Sequence, residues 1–200
     1  MRITKSIFAG FVLVVSIQLA SAQRSTAEQA GDAVDGLQMA ISQHGMTKTG
    51  LPNLQVTFRN VSDRDLTVLL GIIGGYSPRP CNLDGREVSC DLNFKLKVTD
   101  SSRKTRAYEF SGIVYVAGRL DPYIVSLRPH STYTLELGLD QFWSPTTKPF
   151  EVALPPGTCQ LLLEFEGRAM THINPNQPET KLTFWKGTLT SNSLSIAVAK

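Results

Sequence analysis

The sequence has no Cys-x-x-Cys pair, no paired-histidine spacing and no Gly-x-Ser-x-Gly elbow. The first two absences remove the usual zinc frameworks, and the third removes the hydrolase nucleophile turn. Histidines number only three, His44, His130 and His172. Each falls where the chain reads as loop or strand end, so surface positions are expected for all of them. Long basic runs are missing too. The densest stretch, Ser101 to Arg106, holds Arg103, Lys104 and Arg106 and reads as a solvated turn between strands. "GIIGG" (Gly71 to Gly75) lacks the following Lys-Ser/Thr and the helix that a phosphate cradle needs. It reads instead as a strand end opening into the loop Gly74 to Pro80. Helical periodicity is weak, and no repeat or low-complexity tract is present.

What is present begins with an export signal. "MRITK" carries Arg2 and Lys5, an apolar run follows, and "ASAQ" supplies the small residues of a cleavage site placed after Ala22. The run is short for a bilayer span, which takes roughly 20 apolar residues. Residues 1–22 are therefore expected to be removed, leaving no membrane span and a periplasmic or secreted protein. Of the formal charge of +3, Arg2 and Lys5 supply two, so the exported chain is nearly neutral. That balance gives no electrostatic footprint for nucleic acid. Residues 23–34 are small and polar and read as a flexible leader. Residues 35–200 are long enough to fold as one domain.

Period-two alternation dominates that domain. Leu54, Val56 and Phe58 share one face of a run, as do Leu92, Phe94, Leu96 and Val98, and as do Cys159, Leu161, Leu163 and Phe165. Between the runs lie turn residues. Asn60, Ser62 and Asp63 suit an Asx-type turn better than a calcium loop, and Asp84-Gly85 suits a tight hairpin. Asn60-Val61-Ser62 also matches a glycosylation acceptor, but the signal peptide has a bacterial character. Glu164 and Glu166 share the wet face of one strand. The pattern predicts an all-β, antiparallel sandwich of about eight to nine strands, with a closed barrel as the structural alternative.

Cys81 and Cys90 bracket a short loop, and an oxidising compartment favours a disulfide between them. A two-residue hairpin at Asp84-Gly85 would pair Cys81 with Val88 and carry Cys90 away diagonally. The bridge needs Cα atoms within about 7 Å, so it implies a wider loop or a bulge. Cys159, on an apolar face, reads as a buried thiol. Among the aromatics, Tyr76 and Trp143 lie in the candidate partner-binding loops Gly74 to Pro80 and Gln141 to Phe150. Phe142 and Phe150 read as caps on the sandwich. Trp185 alternates with Gly187 and Leu189 and reads as core, with Gly187 bending its strand at a corner.

"LQVTFRNVSDRDLTVLL" resembles the strand, turn, strand opening of exported immunoglobulin-like domains. "LDPYIVSLRPHSTYTLEL" followed by "LPPGTCQLLLEFEG" resembles their later strands. The order is similar to the BsuPI-type proteinase inhibitor domain over about two thirds of the exported chain, by the spacing of generic sandwich elements. The resemblance implies an immunoglobulin-like sandwich and brings no inhibitory residue with it. The expected function is a non-catalytic binding module with an unknown protein or glycan partner and no cofactor or metal. A proteinase inhibitor and a carbohydrate-binding module are the alternatives. The last predicts Trp143, Tyr76 or Trp185 aligned on one exposed surface.

Overall fold

The computed structural model describes residues 30–76, 81–83, 86–88, 90–110, 115–144, 151–168, 171–173 and 181–198, with the backbone alone at 74–76, 81–83, 86–88, 90, 115–120, 171–173 and 181. In chain order the strands are β1 (Leu37–Met46), β2 (Pro52–Asn60), β3 (Leu66–Tyr76), β4 (Cys81–Leu83), β5 (Arg86–Val88), β6 (Cys90–Leu92), β7 (Phe94–Thr99) and β8 (Thr105–Phe110). They continue as β9 (Tyr115–Leu127), β10 (Thr132–Gly138), β11 (Phe142–Trp143), β12 (Gly157–Gly167), β13 (Thr171–Ile173), β14 (Lys181–Thr183), β15 (Gly187–Thr190) and β16 (Leu194–Val198). No α-helix occurs among the described residues, and the one helical turn is a short 3-10 segment at Leu139–Gln141.

The fold is the antiparallel all-β sandwich that the alternation predicts. A three-stranded sheet runs β1-β2-β10, and a six-stranded sheet runs β11-β8-β7-β12-β15 with β16 also on β12. A further sheet, β6-β3-β9, shares the core. The segments outnumber the eight to nine expected because several strands are interrupted. β6 and β7 are separated only by Asn93, and β15 and β16 lie along the same edge of β12.

Burial follows the period of two. Phe94, Leu96 and Val98 of β7 are buried while Lys95 is exposed, because successive side chains point to opposite faces. The two larger sheets meet through aromatic rings. Phe58 of β2 lies 5.1 Å from Phe165 of β12 at 78° and 6.1 Å from Phe94 of β7. Edge-to-face pairs of this kind contribute about 0.5–1.5 kcal/mol beyond area burial. Phe110 and Phe142 extend the cluster at 5.1 Å, so Phe142 is core, as expected of a cap.

Two turns behave as their side chains dictate. Asn60 is fully buried, and its Oδ1 accepts from the Ser62 amide at 3.0 Å and hydroxyl at 2.7 Å, which is an Asx turn. Its Nδ2 donates to the carbonyls of Arg64, Leu127 and Arg128. That nitrogen has no room for a glycan in the folded chain, so the acceptor motif is structural. Asp100 organises the basic turn, accepting from Ser102 and from the Lys104 amide.

Three expectations need correction. The glycine pair Gly74-Gly75 does not open a loop: β3 continues to Tyr76, which pairs with Tyr115. The tight hairpin forms in place of the wider loop that a Cys81–Cys90 bridge implied. Cys81 pairs with Val88 in β4–β5 while Cys90 pairs with Ile73 in another sheet; the Cys81 and Cys90 side chains, and the disulfide expected between them, lie outside the described residues. Finally, the loose leader stops short of Val34. The Gly31 amide donates to the Met39 carbonyl, and Val34 and Leu37 exchange two backbone bonds.

Candidate interaction site

The two tryptophans separate cleanly. Trp185 is 6% exposed and stacks on Phe165 at 6.2 Å and 22°. Its Nε1 donates to the Val34 carbonyl at 3.2 Å, and its backbone amide donates to Thr67. The indole lies against the paired glycines Gly167 and Gly187. A Cβ at Gly167 would stand 2.3 Å from the ring and one at Gly187 2.8 Å, so close approach, and not bending alone, accounts for both glycines. Trp185 is core.

Trp143 sits in β11, a short strand and not a loop, and it is half-buried. Its neighbour Phe142 points inward, so Trp143 points to the outer face of the six-stranded sheet. The registers then define a row. Trp143 pairs with Glu109, Glu109 with Lys95, Lys95 with Glu164, and Glu164 with Thr190. On its other side Trp143 bridges to Glu151. Cross-strand partners share a face, so one indole and alternating charges line up across five strands. The Trp143 Nε1 is buried and has no hydrogen-bond partner among the described residues.

Beside this row runs an open groove of about 440 Å³. Its charged lining is Asp91, Lys95, Glu109, Glu164, Glu166 and Arg168. Lys97 bonds Glu164 at 2.6 Å, and Arg168 approaches Glu166 at 4.0 Å. Burial holds the Asp91 carboxyl above the usual carboxylate range, with Arg168 opposing and Glu109 reinforcing the shift. Glu164 and Glu166 occupy this wet face as expected.

The nucleophiles and bases are scattered. Cys159 is 1% exposed, its Sγ faces the Pro155 carbonyl at 3.6 Å, and burial followed by the Asp100 charge pushes its thiol up. A thiol in that setting is inert. His44 approaches Glu136 at 3.3 Å and His130 approaches Asp63 at 3.0 Å, both at exposed positions. His172 lies in β13, where only the backbone is described. Among the described residues no three His, Cys, Asp or Glu side chains are grouped to hold a metal, and no helix is long and apolar enough to cross a membrane.

Of the sequence-predicted partner residues, Trp143 gains a setting. Tyr76 has a described backbone only, residues 77–80 and 145–150 lie outside the described residues, and Phe150 with them. The Cys81 and Cys90 side chains are likewise not described. Sequence reasoning missed Glu109, Lys95 and Glu164 as members of the Trp143 row. Their separation in the chain hid a relation that only strand register creates. No family model matches the chain, and no curated sequence resembles it significantly.

Proposed function

We propose that the chain is an exported, non-catalytic binding module of the periplasm or the secreted space, built as an immunoglobulin-like sandwich. A protein partner docks on the outer face of its six-stranded sheet. One observation carries this reading: Trp143 stands in a cross-strand row with Glu109, Lys95 and Glu164, beside an open polar groove. Tryptophan is enriched among the anchors that carry binding energy in protein interfaces, and a polar rim commonly surrounds such an anchor.

The carbohydrate-binding reading asked for aligned exposed aromatics. Trp185 belongs to the core, so that reading now rests on Trp143 and on Tyr76, whose side chain lies outside the described residues. The inhibitor reading rests on the resemblance to the BsuPI-type domain.

The test is affinity capture with tagged Gln23–Lys200 from envelope and secreted extracts, scored for proteins and glycans. Folded Trp143→Ala and Glu109→Lys variants run in parallel. A single protein partner held by the wild type and lost by both variants supports the reading. Capture that is indifferent to both variants removes the proposed face, and enrichment of glycan alone moves the function to carbohydrate binding. A protease that is both captured and inhibited makes the chain an inhibitor.

A further inference from the structure

β1 is an edge strand of the three-stranded sheet, and an edge exposes a row of backbone donors and acceptors that invites another strand. Proteins commonly blunt such an edge with lysine, proline or inward charges. β1 does none of this from Leu37 to Gln43, where the sequence LQMAISQ has no charge and no proline. The edge is instead occupied by parts of the same chain, position by position.

Asp35 and Gly36 both take positive φ, 45° and 84°, and form the two-residue turn of a tight hairpin. This turn folds Gly31–Val34 back along β1. Val34 and Leu37 exchange bonds of 2.8 and 2.9 Å, and the Gly31 amide reaches the Met39 carbonyl at 3.0 Å. Gly31 is wedged so closely that a Cβ would stand 1.7 Å from the Thr190 carbonyl oxygen.

The next outward position is Ile41, and a side chain serves it. Asn192 Oδ1 accepts from the Ile41 amide at 2.7 Å, and Asn192 Nδ2 donates to the Ile41 carbonyl at 3.0 Å. One primary amide thus imitates a strand partner. It is delivered by an irregularity between β15 and β16, where the register on β12 shifts and Ser191 Oγ accepts from the Leu163 amide. An interruption of this sort re-aims a side chain. Beyond Ile41 the β1–β2 register slips between Gln43 and Met46, with Gly45 at φ 72°, and such a bulge itself discourages pairing.

We propose that Gly31–Val34 and Asn192 form an edge guard that keeps the chain monomeric. When the guard is displaced, β1 pairs edge to edge with β1 of a second copy. A second copy is the fitting occupant because a two-fold axis beside an antiparallel edge sets its outward groups against their own equivalents. The uncharged run from Leu37 to Gln43 meets itself there without like-charge repulsion.

The test uses Gln23–Lys200 with Asn192→Ala, and with Asn192→Ala combined with Gly31→Val. Mass is followed by sedimentation equilibrium, and amide hydrogen exchange is followed at Leu37 and Ile41. The wild type is expected to be monomeric. Asn192→Ala, which removes only the two bonds at Ile41, is expected to speed Ile41 exchange in the dilute monomer and to tighten self-association about tenfold. The double variant is expected to dimerise further, with Leu37 and Ile41 protected again in the dimer. The proposal is overturned if Asn192→Ala stays folded and monomeric at all concentrations. It is also overturned if association leaves Leu37 and Ile41 unprotected, or if the wild type is already a dimer paired through β1. Should Gly31→Val unfold the chain, the outcome for Asn192→Ala alone decides.

Discussion

Trp143 ends β11 and Trp185 lies in the link just before β15, both strands of the six-stranded layer, and the two are treated in opposite ways. Around Trp185 both of the residue's own donors are matched. Its N–H has the Val34 carbonyl, its backbone amide has Thr67, and two glycines yield their Cβ positions to the ring. Around Trp143 the ring is half open, the N–H is buried without a partner among the described residues, and the cross-strand neighbours are carboxylates. The first arrangement spends the tryptophan on stability. The second leaves one donor unmatched among the described residues and part of the ring open to solvent. Substitutions at the two sites are therefore expected to diverge.

Trp185→Ala is expected to give the largest effect, a loss of about 3–5 kcal/mol, because it opens a large cavity beside Phe165. In urea denaturation the midpoint falls with little change in slope. Gly167→Ala tests the same corner from the other side. Its added methyl meets the Trp185 ring at 2.3 Å, and an overpacking cost of about 1–3 kcal/mol is expected. If Gly167→Ala proves neutral, the glycine pair does not position the indole.

Phenylalanine at each tryptophan sharpens the contrast. Trp185→Phe gives up the hydrogen bond to Val34, and a loss of about 1 kcal/mol or more is expected. Trp143→Phe keeps an aromatic ring but removes a buried donor that has no partner among the described residues. It is expected to leave stability unchanged or raise it by up to about 1 kcal/mol. Equal losses at both positions would mean that the Trp143 N–H is satisfied in solution and that its face is already complete.

The same contrast explains what the sequence made legible. Alternation in segments such as Phe94–Thr99 and Gly157–Gly167 disclosed the all-β class and the inward residues, because period two acts locally. The core role of Trp185 followed from its alternation with Gly187 and Leu189. The Trp143 row could not be read, since Glu109, Lys95 and Glu164 become neighbours only through pairings between distant strands. The edge guard had a signal that went unused. Asp35-Gly36 is the same dipeptide as Asp84-Gly85, but the small polar residues before it suggested a leader. Asn192 offered no signal, because its role depends on where an irregular edge strand delivers one amide. For Cys81 and Cys90, compartment chemistry pointed to a bridge while hairpin register pointed away from it, and the backbone follows the register.

The smallest expected effect lies in the groove beside the charged row of Glu109, Lys95 and Glu164 and has a definite sign. Burial raises the Asp91 carboxyl above its model-compound value of 3.8, Arg168 partly offsets this, and Glu109 adds to it. The folded chain therefore keeps this proton to higher pH than the unfolded chain does. Where the native state binds more protons, stability falls as pH rises, so Asp91 withdraws stability from about pH 3.8 up through its folded pKa. Asp91→Asn removes that withdrawal. The variant and the wild type are expected to melt together at pH 3, with the variant pulling ahead by about 1–2 °C near neutrality, a modest gain because Asp91 remains solvent-accessible. Asp100 supplies the opposite sign, since the Ser102 hydroxyl and the Lys104 amide hold its carboxyl below 3.8. Its contribution is present above that value and is lost as pH falls through its folded pKa. Thermal melts of Asp91→Asn across pH 3–7 decide the point: a gap that widens with pH identifies a carboxylate held at a cost in the groove that Lys95, Glu109 and Glu164 also line, whereas a gap of constant size would trace to amide hydrogen bonding and remove the electrostatic strain from that groove.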